Sequence, residues 1–377
     1  MWPRWVLYSQ RGHTAHSINL IIITQSSPFS NYSNVLTPIL TPEVANALNE
    51  LIDSSQNIVI CAHRGPDGDA VGSSLGWAEY LQQRGKNVRI VMPNPFPDFL
   101  RWLPNTHLIQ FYAKHEPEAT HIINQADLIC CLDFNALNRL QEMQGAVQQS
   151  KAKRLIIDHH LDPDTHCAEL VVSHPEKSST SELVFRIIYQ LGGFDTMTKT
   201  GTASLYTGMM TDTGGFTYNS NDPEIYAIIS LLLTKGIDKD KIYRNVFNVY
   251  STDRIKLIGY VLHEKLQFYA NKHASIMTIT RDEMKRFNFM RGDAEGLVNM
   301  PLQVKGMRLS ISLREDTERD VVRVSLRSVD DFPCNRMAET FFNGGGHLNA
   351  SGGELPFPLE EAVRTAERAI EAYKHLL

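Results

Sequence analysis

The sequence predicts an α/β protein of two domains: a first domain with a mostly parallel sheet flanked by helices, and a second, smaller α/β domain. Its 377 residues exceed what one hydrophobic core usually organises, so two domains are expected. From about Thr41 onward, short apolar segments alternate with helical patterns, which is typical of parallel strands covered by helices. After about Gly236 the order of elements changes, which predicts a domain boundary there.

The composition is that of an ordinary globular protein. Hydrophobic residues make up 42% of the chain and charged residues 21%, and the formal net charge is −5. No apolar run approaches the roughly 18 residues that a membrane span needs. The mild acidity argues against a protein that binds long nucleic acid regardless of sequence, because such proteins carry a basic face. It is compatible with an enzyme that handles small phosphorylated molecules through a few local cations.

Cysteine usage predicts a reducing compartment. The five cysteines are too few and too scattered for a disulfide framework in a chain of this length. We therefore expect reduced, mostly buried thiols in a cytoplasmic protein.

Residues 1–40 are predicted to be an N-terminal extension. Its one apolar run, Ile18–Ile23, is short for the core of a signal peptide, and no A-x-A-like cleavage site follows. We expect a poorly ordered extension, or an upstream translation start, and not an export signal.

The first domain is predicted over residues 41–240. A helix is expected over Ala70–Gln83, ending at Gly85. Ser179 followed by Glu182 is typical of a capping box, which predicts a helix running through Leu191. The candidate strands, short and apolar as strands buried on both faces are, are Asn57–His63, Asn87–Met92, Ala126–Phe134, Lys153–Asp158 and Glu169–Ser173.

A linker is predicted over residues 241–256, and the second domain over 257–377. The patterns predict helices over Asp222–Lys235 and Thr252–Asn271, the latter able to connect the two domains. They also predict the following elements: an isolated strand Ala274–Thr280, a hairpin of Met307–Leu313 with Val321–Ser328, a short helix Asn335–Phe342, a glycine-rich loop and a final helix from Leu359.

Acidic residues and histidines follow apolar segments in four places. Ligands of open parallel sheets bind beyond the carboxyl ends of the strands, so the three motifs that end predicted strands should converge on one cleft. The motifs are His63-Arg64-Gly65-Pro66-Asp67-Gly68-Asp69, Asp133, Asp158-His159-His160 and Asp212. The side chains expected to meet are His63, Asp67, Asp69, Asp133, His159 and Asp212.

Such a cluster predicts bound divalent metal, because neighbouring carboxylates repel each other unless cations neutralise them. Mixed carboxylate and imidazole ligands suit Mn²⁺ well, with Mg²⁺, Co²⁺, Fe²⁺ and Zn²⁺ as other occupants. The number of ligands suggests two ions about 3.5–4 Å apart, bridged by a carboxylate and a water, which would generate hydroxide near neutral pH. The predicted reaction is phosphoester hydrolysis.

Taken singly, each motif has a simpler explanation as a turn, a helix cap or a core histidine. Four acidic motifs that each follow an apolar segment are together hard to explain by turns.

The segment Gly72-Ser73-Ser74-Leu75-Gly76 matches the G-x-S-x-G motif of serine hydrolases. We reject that interpretation, because Ser74 lies inside a predicted helix and not on a turn between strand and helix.

Three segments, HRGPDGDAVGS from His63, DHH from Asp158 and GGGHLNASGG from Gly344, resemble the DHH phosphoesterase superfamily. The last of them is similar to the loop of the DHH-associated C-terminal domain. Glu295-Gly296-Leu297-Val298-Asn299, Arg314 and Arg327 further resemble the nanoRNase-type branch, bifunctional oligoribonucleases and pAp phosphatases. The resemblance runs from Thr41 to the C-terminus. Asn135 and Leu348 depart from common family residues, at positions that are not metal ligands.

The resemblance implies a role for each motif residue. One metal would be held by His63, Asp67 and Asp133, and the other by Asp69, Asp133, His159 and Asp212, with Asp133 bridging. His160 would face the substrate phosphate, and Asp158 would orient the histidines. The nucleotide or its terminal phosphate would be bound by Arg314, Gly345, Gly346 and His347. Arginine suits this role because its planar fork binds phosphate with two hydrogen bonds.

The sequence thus predicts a Mn²⁺-dependent phosphoesterase with two metal ions. It would hydrolyse short oligoribonucleotides to mononucleotides and convert pAp to AMP, with no long nucleic acid or membrane as partner. A homodimer is expected by analogy. The alternatives are a pyrophosphatase or exopolyphosphatase, a cyclic-dinucleotide phosphodiesterase, and a nucleotide-binding regulator without activity. The regulator is disfavoured because every metal-ligand position is filled.

Overall fold

The structure, a computed structural model, describes residues 36–290 and 292–377. Residues 38–377 form one compact unit. Most of the predicted extension, residues 1–35, lies outside the described residues. Its last residues are packed, since Leu40 is buried and the amides of Ile39 and Leu40 both donate to Oε1 of Gln190. Packing therefore begins before Thr41.

The first half contains the predicted parallel sheet. Six strands pair in the order β3-β2-β1-β4-β5-β6, and every pair is parallel. The strands are β1 (Asn57–Ala62), β2 (Asn87–Met92), β3 (Ile109–Phe111), β4 (Leu128–Leu132), β5 (Lys153–Asp158) and β6 (Leu170–Ser173). The five predicted strands are present, and β3 is an addition. Three central strands, β1, β4 and β5, end in almost wholly buried residues, as expected for strands covered on both faces.

Eight helices accompany this sheet among the described residues. They are α1 (Pro42–Asp53), α2 (Gly68–Gln83), α3 (Glu116–Asn124), α4 (Gln144–Gln149), α5 (Thr180–Gln190), α6 (Lys199–Asp212), α7 (Pro223–Thr234) and α8 (Lys239–Phe247). The predicted helices in this half are confirmed as α2, α5 and α7. No described helix is both long and apolar enough to cross a membrane.

Helices α2 and α6 pack with their backbones in close contact. Glycines recur at every fourth residue of α2, so one face of the helix lacks side chains. A Cβ atom added at Gly72 would lie 2.5 Å from the carbonyl oxygen of Ser204, and one added at Gly68 would lie 2.2 Å from Oγ1 of Thr211. Ser74 also lies in α2, buried, and its hydroxyl donates to the carbonyl of Ala70 at 2.6 Å. The prediction that Ser74 lies inside a helix, and not on a turn, is thereby confirmed.

The second half contains a second six-stranded sheet, in the order β11-β12-β10-β9-β8-β7. Its strands are β7 (Gln267–Tyr269), β8 (Ala274–Ile279), β9 (Leu309–Glu315), β10 (Val321–Ser328), β11 (Gly345–His347) and β12 (Ala350–Pro356). Its helices are α9 (Thr252–Tyr260), α10 (Arg281–Arg286), α11 (Cys334–Phe341) and α12 (Leu359–Tyr373). The apolar faces of α11 and α12 pack with the central strands into one core.

Two sequence predictions for the first part of this half were wrong. The long helix predicted over Thr252–Asn271 ends at Tyr260, where a π-helical turn over Val261–Lys265 leads into β7. Aromatic residues favour a pleated strand over a further helical turn at this point. The strand at Ala274 is not isolated, since it pairs with β7 on one side and in parallel with β9 on the other.

The predicted hairpin is confirmed as β9 and β10, and the pairing fixes which residues share a face. Arg314 pairs with Arg323 across the hairpin, and Arg327 lies four residues further along β10. Because side chains alternate between faces, all three arginines lie on one face. The other face carries core residues such as Leu313 and Leu326.

The glycine-rich segment is a strand and not a loop. Gly345–His347 pairs with β12, and both strands escaped prediction. Glycine is required at Gly344, because an added Cβ would lie 1.8 Å from the carbonyl oxygen of Gly352.

A cleft of about 2770 Å³ is lined by residues of both sheets, including Asp67, His159, Arg314 and His347.

Candidate metal centre

The predicted ligands come together at the carboxyl edge of the first sheet. His63 follows β1, Asp133 follows β4 and His159 follows β5. Parallel strands bring these three to one edge, as the sequence predicts. Asp212 differs because it is the last residue of α6 and does not follow a strand.

Asp133 lies at the middle of the cluster. Its side chain is buried, with 2% of the residue exposed. Its Oδ2 is 3.5 Å from Nε2 of His63, and its Oδ1 is 3.7 Å from Nε2 of His159. The two oxygens of one carboxylate therefore face two different histidines. The backbone of Asp133 is left-handed, with φ of 65°, a conformation that few residue types other than glycine, asparagine and aspartate adopt readily.

Two overlapping sets of ligand atoms share Asp133. One set is His63, Asp67 and Asp133, and the other is Asp69, Asp133 and His159; within each set the ligand atoms lie within 4.8 Å of one another. Asp212 joins through its Oδ2, which is 3.4 Å from Nε2 of His159. All six predicted metal ligands thus meet in one place.

The orientation of the two histidines leaves Nε2 available as a ligand. Nδ1 of His63 lies 3.0 Å from the carbonyl oxygen of Arg64, and Nδ1 of His159 lies 3.3 Å from that of Lys177. A carbonyl can only accept, so Nδ1 carries the proton in both rings. Nε2 then presents a lone pair to the carboxylates, which is the tautomer that binds a metal.

The electrostatics of the cluster fit bound cations. Burial, followed by repulsion from neighbouring carboxylates, raises the pKa values of Asp133 and Asp212 well above the usual range. Burial also raises the pKa of Asp69. The Nε2-to-carboxylate distances of 3.4–3.9 Å exceed those of hydrogen bonds, about 2.7–3.2 Å. They match two ligand atoms that share one cation with bonds of about 2.0–2.2 Å.

His160 and Asp158 form a pair beside this cluster. Nδ1 of His160 lies 2.7 Å from Oδ1 of Asp158, whose side chain is fully buried. Oδ2 of Asp158 has no hydrogen-bond partner among the described residues. The pair fixes the ring of His160 next to Asp133, at 4.0 Å from Nδ1 to Oδ1.

His347 reaches the cluster from the second sheet. Its ring stacks on His160, with centroids 5.0 Å apart, and lies 5.5 Å from the ring of His159. Burial, reinforced by these two imidazoles, lowers the pKa of His347 to about 4. His347 is therefore neutral near pH 7 and can donate or accept a hydrogen bond.

The arginines on the shared face of the hairpin differ in their partners. Arg323 bonds to Asp316 at 2.7 Å and to Glu354. Arg314 instead lies over the ring of Phe289, 5.1 Å from its centroid, and burial lowers its pKa. Within the described part of the chain, no carboxylate forms an ion pair with Arg314 or Arg327. These two half-buried cations are thus available to an anion in the cleft.

The sequence interpretation missed contacts at the start of α5. Oγ of Ser179 accepts from the amide of Glu182, as predicted. The reciprocal half of the capping box is wrong, because the Glu182 carboxylate binds Ser178 and Arg186 instead. Thr180, the residue after Ser179, contacts the ligand cluster directly. The run of hydroxyl residues at 178–181 could have indicated these contacts, but the sequence interpretation used it only to predict a helix cap.

Comparison with known families agrees with this architecture. Residues 57–209 match the DHH family, N-terminal domain, and residues 273–374 match the DHHA1 domain. The two matches coincide with the two sheets.

Three similar proteins span most of the chain. A crystal structure described as an exopolyphosphatase-related protein from Bacteroides fragilis is 50% identical, with a TM-score of 0.87, and the match covers 90% of this chain and 99% of that one. The bifunctional oligoribonuclease and PAP phosphatase NrnA of Thermus thermophilus is 28% identical over 85% of this chain and 90% of its own. The cyclic-di-AMP phosphodiesterase PdeA of Listeria monocytogenes is 25% identical over 88% of this chain, which spans half of that protein's length.

Proposed function

Since the chain belongs to the DHH family and is a hydrolase of phosphoester bonds, we propose that it acts on short oligoribonucleotides and pAp with the help of Mn²⁺. It would release mononucleotides from the former and convert the latter to AMP. One observation carries the proposal: a cluster that suits two cations faces, across one cleft, arginines that have no carboxylate partner among the described residues. The Thermus relative, which carries both activities in its name, supports this choice of substrates.

The six clustered side chains would hold the metal ions. When bound, divalent ions would neutralise the carboxylates, polarise the phosphoryl oxygens and acidify a water. Mn²⁺ is proposed because carboxylates and imidazoles act together as ligands. The ligands are His63, Asp67, Asp69, Asp133, His159 and Asp212.

His160 and Asp158 would serve the reacting phosphate. The buried Asp158 accepts from Nδ1 of His160 and so fixes the ring beside Asp133. Held in this way, His160 can contact a phosphoryl oxygen without rearranging. Asp158 acts through His160 and does not itself touch the substrate.

The second sheet would bind the far end of the substrate. Arg314 offers a planar, cationic fork suited to a phosphate, and Gly345 and Gly346 let an anion approach the backbone closely. His347 contacts His160 at a centroid distance of 5.0 Å, so it and the adjacent glycines lie close to the metal cluster, and Arg314 lines the same cleft. The cleft therefore favours short substrates, and the net charge of −5 fits an enzyme without a basic track for long RNA.

The decisive experiment compares four substrates with the purified full-length protein. A 5′-phosphorylated diribonucleotide, pAp, cyclic di-AMP and inorganic pyrophosphate would each be incubated with Mn²⁺, and with EDTA as the control. The proposal expects Mn²⁺-dependent release of mononucleotide from the dinucleotide and of phosphate from pAp. Turnover of pyrophosphate alone would retain the metal centre and reject the assignment of the second sheet.

A cyclic-dinucleotide phosphodiesterase is the second candidate. The similarity to the Listeria cyclic-di-AMP phosphodiesterase favours it. Faster turnover of cyclic di-AMP than of the linear dinucleotide in the same assay would establish it. Location in the cytoplasm and the homodimer stay predictions, to be tested by fractionation and by sedimentation.

A further inference from the structure

We propose that Thr180 is a positioning residue whose hydroxyl fixes one of the proposed metal-binding carboxylates, Asp133, in the orientation that receives cations. This inference rests on the proposed function, because it assumes that the cluster binds metal. Thr180 itself is not expected to touch a metal or the substrate.

The contacts of Thr180 are direct. Its hydroxyl donates to Oδ1 of Asp133 at 3.1 Å, and its amide donates to Oδ2 of Asp69 at 2.7 Å. The amide of Ser181 donates to the other oxygen of Asp69 at 2.8 Å. Thr180 is fully buried, so water does not compete for these hydrogen bonds.

The hydroxyl contact restricts rotation of the Asp133 carboxylate. The terminal torsion of an aspartate side chain has a broad energy profile. Oδ1 of Asp133 is the oxygen that faces His159. A hydrogen bond on one of its lone pairs holds this orientation and leaves the other lone pair for a cation. Such contacts behind a ligand typically change metal affinity or activity by about 10–100-fold.

Thr180 is itself held by a buried network. The Glu182 carboxylate accepts from the amide of Ser178 at 2.9 Å and from Nε of Arg186 at 2.7 Å. Arg186 in turn bonds to Glu224 of α7. Glu182 and Arg186 are almost fully buried, so their hydrogen bonds hold the first turn of α5 in place. A change confined to the Thr180 side chain should therefore leave the backbone amides in place.

Two variants test the hydroxyl of Thr180, and a third is the control. Thr180→Val removes it while keeping the shape of the side chain, and Thr180→Ser keeps it. Thr202→Val is the matched control, because Thr202 is equally buried but donates to the carbonyl of Thr198. Mn²⁺ binding to metal-free protein would be followed by the EPR signal of free Mn²⁺, and the melting temperature would be recorded without metal.

The expected result is a loss of Mn²⁺ affinity of about 10–100-fold in Thr180→Val, with Thr180→Ser and Thr202→Val close to wild type. Wild-type affinity in Thr180→Val would overturn the inference while the metal centre stands. Failure of the wild-type protein to bind Mn²⁺ would overturn the metal centre and the inference together. If Thr180→Val does not fold, Thr180→Ala is compared with Thr180→Ser: a loss in the alanine variant alone supports the inference, and equal losses refute it.

Discussion

The two sides of the cleft are built in different ways. On the side of the first sheet, His63, Asp133 and His159 are each no more than 7% exposed, and backbone or side-chain partners fix their orientations. On the side of the second sheet, Arg314 and Arg327 are half-buried and have no ion-pair partner within the described residues. Under the proposed function, we expect the reacting end to be prearranged and the end that would bind the far part of the substrate to adjust to it.

Asp133→Asn should have the largest effect. Asparagine tolerates the left-handed backbone at this position, but it removes the charge shared by both sets of ligands. We expect hydrolysis to fall by more than about a thousandfold, because several kcal/mol of transition-state stabilisation are lost. The measurement is kcat/KM on the dinucleotide with saturating Mn²⁺.

The same variant should not destabilise the metal-free fold. The pKa of Asp133 is raised in the folded state, so its ionisation costs stability as pH rises through that value. At pH 7.5 in EDTA, Asp133→Asn should melt at the same temperature as wild type or higher. A lower melting temperature, or more than a tenth of wild-type turnover, would contradict the contrast between the two sides.

Arg314→Met should have the next largest effect, with Arg323→Met as its matched control. The two residues face each other across the hairpin, but only Arg323 is neutralised by carboxylates. Loss of a charged hydrogen bond predicts that Arg314→Met raises KM by about 10–100-fold, with little change in kcat. Arg323→Met should leave KM within about threefold and lower stability by about 1–3 kcal/mol, because Asp316, which is 8% exposed, loses its charged partner. Equal effects of the two variants on KM would reject the special role of Arg314.

His347→Ala should have a smaller effect, again mainly on KM. His347 is neutral and contributes at most a hydrogen bond of about 1 kcal/mol, which predicts a rise in KM of about fivefold. His263→Ala serves as the control, because His263 is 85% exposed on the π-helical turn. Unchanged kinetics of His347→Ala on dinucleotides would remove this residue from the site.

Ser74→Ala should have almost no effect on catalysis. Its hydroxyl bonds only within α2, so we expect kcat within about twofold of wild type and a stability loss of about 1 kcal/mol. A tenfold loss of turnover in a folded variant would reopen the serine-nucleophile interpretation.

The sequence predicted the first sheet, and the meeting of the six side chains at its edge, for a physical reason. Buried parallel strands are uninterrupted apolar runs, and their ends are marked by the polar residues that the site uses. His63, Asp133 and His159 are therefore visible as breaks in such runs.

The parts that escaped prediction depend on tertiary contacts. Helix α6 is rich in glycine and threonine, which are poor helix formers, and is stabilised by its close packing on α2; Asp212 was therefore not recognised as a helix end. The contact between Thr180 and Asp69 joins residues 111 positions apart, which no local pattern reveals. Strands β11 and β12 were hidden by glycines, which disfavour strands on average.

The glycine face between α2 and α6 has a consequence for motion. No side chain would fit between the two helices at Gly68 and Gly72, and such close packing opposes sliding of one helix along the other. We therefore expect Asp67 and Asp69, at the start of α2, and Asp212, at the end of α6, to move together as one rigid unit. We therefore expect any opening of the cleft to bend the chain beyond Asp212. Substrate capture can then proceed without changing the spacing of these three carboxylates.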